Sequence, residues 1–142
     1  RLEKGQTLRL IPGLLDLVVS KNPGAAFSLG SGRTGLLIAV TAAACAAILW
    51  SAWRYGKTSV LLNMALALIF GGAMGNLWDR LFEGGHVRDF LFLHLGDHVA
   101  YPAIFNVADV VLVIGCGLFV IHSFRKEKDE DAEHRRKRVP AR

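Results

Sequence analysis

The chain has 142 residues, of which 52% are hydrophobic, and its mean hydropathy of +0.35 is high for a water-soluble domain. Its net charge of +5 does not predict a nucleic-acid partner, because eight of the seventeen Lys and Arg residues follow Phe124, where five acidic residues are interleaved with them. Both cysteines, Cys45 and Cys116, lie inside apolar runs, and no His, Cys or acidic pair has metal-ligand spacing, so neither a disulfide, a metal nor another cofactor is expected.

The first part of the chain, residues 1–35, is polar at its edges and strand-like in the middle. Residues 7–11 and 14–19 are rich in Leu and Val, and the turn signal Pro12-Gly13 separates them. A second turn is expected at Asn22-Pro23-Gly24. Two short strands are therefore predicted, at residues 7–11 and 14–19.

Three long apolar runs follow. Residues 36–53 and 59–78 carry no charge, and residues 103–124 carry a single one, Asp109. A helix needs roughly 20 apolar residues to cross a membrane, so spans are predicted at about 36–53, 59–78 and 107–124. The alternative is a soluble protein with three buried helices, but the remaining chain is too short to cover them. A further strand is predicted at residues 90–95.

Basic residues near the ends of the spans predict the orientation. The loop at residues 54–57 and the tail at residues 125–142 lie on one side, because two spans separate them, and their Arg and Lys residues predict that this side is cytoplasmic. Residues 1–35 and 79–102 then lie outside. The charged tail lacks apolar periodicity and is expected to be solvated or disordered.

The predicted fold is an all-α multi-pass membrane protein with a small extracytoplasmic β platform, formed by residues 1–142 as a single domain. The chain carries three spans. Its polar N-terminal segment has no leading apolar segment to take it across the membrane. An additional span ahead of residue 1 is therefore expected, which would give the intact protein four.

One stripe of the second helix carries a group of small and polar residues: Gly72, Asn76, Asp79 and Arg80. Gly71 and Gly75, beside this stripe, have the small-xxx-small spacing that lets another helix approach closely. Asp79 and Arg80 are interpreted either as functional residues or as an ion pair at the helix end. Asn76 must find hydrogen-bond partners inside the span, in a site or in helix packing.

Asp109 is the strongest single candidate, because an ionisable group inside an apolar run is costly and is commonly functional. It could also cap a helix that starts at Asn106, and the two roles are compatible. Asp89 lies twenty residues earlier, on a connection that returns to the same face of the membrane. Two carboxylates brought together beside lipid share a proton, and such a pair activates water in aspartic proteases.

Four sequence blocks together resemble the successive signatures of the lipoprotein signal peptidase family, also called signal peptidase II. They are NPGAAFS at 22–28, GGAMGNLWDR at 71–80, VRDF at 87–90 and FNVAD at 105–109. The resemblance implies a four-span peptidase of the bacterial plasma (inner) membrane with its active site at the extracytoplasmic face. Such an enzyme cuts diacylglyceryl-modified prolipoproteins before the lipidated cysteine, using two aspartates and water without a metal.

The resemblance also implies a role for each candidate residue. The catalytic pair is Asp89 and Asp109. The substrate-binding residues are Asn22, Asn76, Arg80 and Asn106, and Asp79 is a supporting residue. The strands correspond to the family's extracytoplasmic platform. The implied partners are a lipidated prolipoprotein and membrane lipids, and a monomer is expected. The family's first helix, with its own Asp and Lys, has no counterpart in this chain.

Two other functions are compatible with a small membrane protein. A proton-coupled transporter using Asp109 would be expected to show an inverted repeat and acids in mid-span, which this sequence lacks. A non-catalytic adaptor leaves the two aspartates without a shared purpose. Ser28 lacks a G-x-S-x-G motif, and His86, His94 and His98 are interpreted as loop residues. Cleavage of a lipidated peptide would separate the peptidase from both alternatives.

Overall fold

The computed structural model describes residues 6–24, 32–55, 59–94 and 103–138 of the chain. Its elements in chain order are β1 (Leu8–Ile11), β2 (Leu15–Asn22), α1 (Thr34–Tyr55), α2 (Val60–Phe82), β3 (Val87–Leu93), β4 (Ala103–Phe105) and α3 (Val107–Arg138). The predicted fold class, a helical membrane protein with a small sheet, is confirmed.

The described residues include three helices long and apolar enough to cross a membrane: Thr34–Tyr55, Val60–Phe82 and the first part of α3, Val107–Lys128. Large apolar side chains on all three face outward, and Trp53, Val60 and Val113 are 79%, 77% and 72% exposed. Water would make such exposure unfavourable, whereas the hydrocarbon of a bilayer is a suitable solvent for it. The helices are a few residues longer than the predicted apolar cores, because polar residues near the ends continue the helical backbone.

The charged tail, expected to be solvated or disordered, has helical backbone as far as Arg138. Its residues are mainly Ala, Glu, Lys and Arg, which have high helix propensity. The difference arises because helix propensity does not require the apolar periodicity that the tail lacks.

The strands form an antiparallel sheet in the order β1-β2-β3-β4. Gly13, in the turn between β1 and β2, has a φ of 74°, a conformation that favours glycine. Strand β3 starts at Val87, before the predicted boundary, so Asp89 lies within a strand, opposite Ser20 of β2. Strand β4 was not predicted, because its residues continue the apolar run of the third span and only their pairing with β3 makes them a strand.

Helices α2 and α3 pack closely through glycines. A Cβ on Gly72 would lie 2.5 Å from the carbonyl oxygen of Ala108, and a Cβ on Gly75 would lie 3.0 Å from the Ala108 Cβ. Among the described residues, a Cβ on Gly71 would meet nothing within 4 Å. The prediction for Gly71 is therefore wrong, and α2 packs against α3 through Gly72 and Gly75. On α3, Gly115 makes the reciprocal close contact with α2, where its Cβ would lie 2.8 Å from the main chain of Ile69.

We expect Gly72→Ala to lower the thermal unfolding midpoint, because the new methyl group would push the main chain of α3 away from α2. Overpacking of this kind costs about 1–3 kcal/mol. Gly71→Ala is the matched control: it lies one residue earlier, points into open space, and should be neutral or stabilising by up to about 1 kcal/mol. The midpoints can be compared by thermal unfolding of both variants in the same lipid. Equal midpoints for the two variants would contradict the close contact at Gly72.

Candidate active site

The residues that sequence analysis assigned to the site lie together where the sheet meets the ends of α2 and α3. Asn22 ends β2, and Asp89 lies in β3. The other five lie in the last turns of α2 or at the start of α3: Asn76, Asp79, Arg80, Asn106 and Asp109. Hydrogen bonds join all seven side chains to one another or to the surrounding main chain.

Asp109 caps the helix that carries it. Its backbone N–H donates to Asn106 Oδ1 over 3.1 Å, and its Oδ2 accepts from the Asn106 backbone N–H over 3.1 Å. This reciprocal pair is a capping box. The other oxygen, Oδ1, accepts from Asn76 Nδ2 over 2.8 Å. The capping geometry therefore fixes the orientation of the Asp109 carboxyl group and uses one of its two oxygens.

The Asn106 side chain connects the two aspartates. Its Nδ2 donates to Asp89 Oδ1 over 2.9 Å and to Asn76 Oδ1 over 3.0 Å. Both amide hydrogens are thus used, while the oxygen of the same amide holds the Asp109 N–H. Asp89 and Asn106 are 4% and 5% exposed, so these bonds are made in a largely dry environment. Asn106 therefore holds both carboxyl groups, that of Asp89 through its side-chain amide and that of Asp109 through its backbone N–H.

Asn22 holds the other side of Asp89. Its Nδ2 donates to Asp89 Oδ2 over 3.0 Å, and its Oδ1 accepts from the Gly24 backbone N–H over 2.9 Å. Each Asp89 oxygen therefore accepts a hydrogen bond from an amide. The turn predicted at Asn22-Pro23-Gly24 is present, and it orients the amide toward the aspartate.

The surroundings of Asp89 favour its protonated form. Burial raises the pKa of Asp89 above its ordinary value, and the charge of Asp109 acts in the same direction. Hydrogen bonds from Asn22 and Asn106 and the charge of Arg80 act to lower the pKa, but they do not overcome the rise. A carboxyl group that keeps a proton beside a second carboxyl group can act as an acid while its neighbour acts as a base.

Arg80 is a buried brace between α2 and the turn that follows β2. Its Nη2 donates to the Gly24 carbonyl over 2.8 Å, and its Nη1 donates to the Asn76 carbonyl over 3.1 Å. The interpretation of Asp79 and Arg80 as an ion pair is wrong, since the ion pair of Asp79 is with Arg88. A contact between Arg80 and substrate stays a prediction.

Asp79 holds the residue that precedes Asp89. Its Oδ2 accepts from the Arg88 backbone N–H over 2.9 Å, and its Oδ1 accepts from Arg88 Nη2 over 2.7 Å. Arg88 Nη1 also lies 3.1 Å from Glu83 Oε1. Arg88 and Glu83 were not among the predicted site residues. The available signal was a base nine residues after Asp79, beyond the turn signal Gly84-Gly85.

Of the remaining candidates, His94 lies against Asp16, with 3.2 Å between His94 Nε2 and Asp16 Oδ2. Ser28 and His98 lie outside the described residues. Within the described ranges, no group of three or more His, Cys, Asp or Glu side chains could hold a metal. A cleft of about 390 Å³ adjoins the network, and its lining includes Asn76, Asp79, Arg88, Phe90 and Asn106.

Comparison with known proteins assigns the chain to a family. The family model described as signal peptidase (SPase) II matches residues 1–125. The chain belongs to the signal peptidase II family. Lipoprotein signal peptidases that resemble it include those of Desulfitobacterium hafniense (38% identical; 89% of this chain, 80% of the relative) and Clostridium acetobutylicum (37%; 94% and 85%). That of Pseudomonas aeruginosa is 39% identical, over 91% of this chain and 78% of the relative.

Solved structures support the same assignment. A bacterial membrane enzyme determined by the in meso method at 2.3 Å resolution superposes with a TM-score of 0.82 at 26% identity, covering 99% of this chain and 80% of that one. A second, determined at 1.9 Å, gives a TM-score of 0.73 at 30% identity, with 85% and 76% covered. The resemblance in the four sequence blocks is confirmed: this signal peptidase II is a membrane protease, and therefore a hydrolase.

Proposed function

We propose that this signal peptidase II removes signal peptides from diacylglyceryl-modified bacterial prolipoproteins, cleaving before the lipidated cysteine as an aspartic endopeptidase. The observation that carries the proposal is the pair Asp89 and Asp109, both hydrogen-bonded to Asn106. The lipoprotein signal peptidases to which the chain is similar support the substrate class.

The pair supplies the two proton transfers that peptide hydrolysis needs. The ionised carboxylate removes a proton from water, and the resulting hydroxide attacks the scissile carbonyl carbon. The protonated carboxyl group donates its proton to the carbonyl oxygen, which gives a neutral tetrahedral intermediate. Collapse breaks the C–N bond: the proton taken from water passes to the leaving amine, and one hydroxyl proton of the intermediate returns to the carboxylate that had donated it. The raised pKa of Asp89 favours that residue as the proton holder before attack, although the pair titrates as a unit.

The asparagines position these groups and the substrate. Asn76 and Asn106 both donate to the oxygens of Asp109, which holds this carboxyl group in a fixed orientation. Asn22 stabilises the carboxylate that remains when Asp89 gives up its proton. A carbonyl group of the substrate that replaced one of these acceptors would accept a hydrogen bond from the same side-chain NH₂ group. For this reason Asn22, Asn76 and Asn106 are proposed as substrate-binding residues.

The proposed location is the bacterial plasma (inner) membrane, with the site at the extracytoplasmic face. Arg54 lies in the last turn of α1, and Arg125, Lys126 and Lys128 follow the apolar part of α3, so these basic residues lie at the helix ends opposite the site. Basic residues favour the cytoplasmic side. A diacylglyceryl group keeps the scissile bond close to the bilayer surface, where a site at the ends of spanning helices can reach it.

The decisive experiment is cleavage of a matched pair of substrates by the purified protein in lipid. One is a prolipoprotein peptide with a diacylglyceryl-modified cysteine, and the other has serine at that position and no lipid. We expect cleavage of the first alone, with mass spectrometry finding the modified cysteine as the new N-terminal residue. A chelator should leave the rate unchanged, as should Cys45→Ala and Cys116→Ala. Cleavage at another bond, or dependence on an added metal, would contradict the proposal.

A further inference from the structure

Arg88, the residue before Asp89, is held by both its main chain and its side chain. The two oxygens of Asp79 accept from the Arg88 backbone N–H and from Nη2, over 2.9 and 2.7 Å. The second guanidinium nitrogen, Nη1, lies 3.1 Å from Glu83 Oε1. One carboxylate thus restrains the position of this residue, and a second carboxylate limits rotation of its guanidinium group.

Asp79, Glu83 and Arg88 lie at the two ends of the turn that connects α2 to β3. Glu83 is the C-cap residue of α2, and Gly84 and Gly85 follow it with positive φ values of 65° and 87°. Glycines permit this turn but do not by themselves fix its geometry. The bonds from Asp79 and Glu83 to Arg88 span the turn, so they determine where β3 begins relative to α2.

The same helix holds both members of the aspartate pair. Asn76 of α2 donates to Asp109, and Asp79, three residues later, holds the residue that precedes Asp89. Side chains alternate along β3: that of Arg88 is 56% exposed, whereas Asp89 is buried. The contacts to Arg88 therefore act on the side of β3 that lines the cleft, whereas the next residue, Asp89, is buried in the network.

We propose that Arg88, held by Asp79 and Glu83, is a positioning residue that sets the distance between the carboxyl groups of Asp89 and Asp109. The inference rests on the proposed function of that pair. The Arg88 side chain is 56% exposed, so its ion pairs contribute little to folding stability. The main effect of this clamp, the contacts of Arg88 with Asp79 and Glu83, is on geometry. A displacement of about 1 Å in a reacting group lowers rates by about 100-fold. Loss of even a weak restraint on Asp89 should therefore have a measurable effect on kcat.

The test measures cleavage of the lipidated peptide by four variants and the wild type. The variants are Arg88→Ala, Arg88→Lys, Glu83→Gln and the double variant Glu83→Gln/Arg88→Ala. We expect Arg88→Ala to lower kcat about tenfold, since the backbone bond to Asp79 remains and only part of the restraint is lost. KM should change less than about twofold, because Arg88 touches no substrate in this proposal, and the unfolding midpoint should hardly change. Arg88→Lys should fall between Arg88→Ala and wild type, because an ammonium group cannot hold both carboxylates in the planar fork.

Glu83→Gln should lower kcat less than Arg88→Ala, and combining the two changes should be no worse than Arg88→Ala alone, because both act through one guanidinium group. The matched control is Arg9→Ala, an exposed arginine of β1 with no ion pair among the described residues; it should leave kcat unchanged.

A wild-type kcat in Arg88→Ala would overturn the proposal, and so would additive losses of kcat in the double variant. A loss of kcat that is accompanied by a matching fall in the unfolding midpoint would also overturn it. A change confined to KM would instead indicate direct substrate binding by Arg88 and would also overturn it. Asp89→Asn, measured in parallel, tests the proposed function separately. If that variant cleaves, the proposed function fails; if it does not and Arg88→Ala is normal, only the clamp fails.

Discussion

Asp89→Asn and Asp109→Asn are each expected to lower kcat by about 10³-fold or more, which in practice abolishes cleavage of the lipidated peptide. Asparagine is nearly the same size as aspartate but can neither accept the proton of water nor hold a transferable one. The carboxyl group that remains cannot act as acid and base in the same step. Rates measured with the same lipidated substrate and lipid as the wild type would show the loss.

Folding must be measured separately in these variants. Asn at position 109 can still accept the Asn106 N–H, so the helix cap is retained. Asn at position 89 would present an NH₂ group to one of two amide donors, Asn22 or Asn106, and a lower unfolding midpoint is expected. The control is Asp16→Asn, a buried aspartate of the same sheet that faces His94 and should keep activity. Near-normal turnover in either dyad variant would remove that residue from catalysis.

The proton on the pair also predicts how the wild-type rate depends on pH. The active form carries one proton, so log(kcat/KM) should fall on the alkaline side as that proton is lost. Burial and the charge of Asp109 raise the pKa of Asp89, so this decline should begin above the ordinary range of an aspartate.

Asn106→Ala is expected to lower kcat by about 100-fold, the second largest effect of a single change at this site. The substitution removes the amide that holds Asp89 Oδ1 and the Asn76 side chain, together with the cap of α3. Loss of the cap alone costs about 1 kcal/mol of stability. Kinetics on the lipidated peptide and thermal unfolding of the same preparation would measure the two losses.

Asn106→Ser separates the effect of the helix cap on stability from the effect of the side-chain amide on the rate. Serine is a good N-cap and can accept the Asp109 N–H, but it has no NH₂ group to reach Asp89. We therefore expect Asn106→Ser to recover most of the unfolding midpoint and little of the rate. If the serine variant cleaves as fast as the wild type, the amide bridge is unnecessary and Asn106 serves only the helix.

Much of the fold follows from short-range properties of the sequence. An apolar run of sufficient length predicts a spanning helix, and the three helices cover the predicted spans at 36–53, 59–78 and 107–124 to within one residue. The capping box of Asn106 and Asp109 was predictable too, because its partners are three residues apart and their spacing fixes the geometry. The paired role of Asp89 and Asp109 was inferred from their shared face of the membrane, and amides link their side chains in the structure.

The sequence by itself thus determined the membrane class, the helices and the identity of the polar residues at the site. Only the tertiary structure decided which of them bond to one another. Adjacent helical residues point about 100° apart, so Asp79 cannot face its neighbour Arg80 and instead meets Arg88, which the α2–β3 turn brings back to it. For the same reason Gly72, not Gly71, faces α3. Strand β4 exists because β3 lies beside residues 103–105, and no local pattern records that pairing.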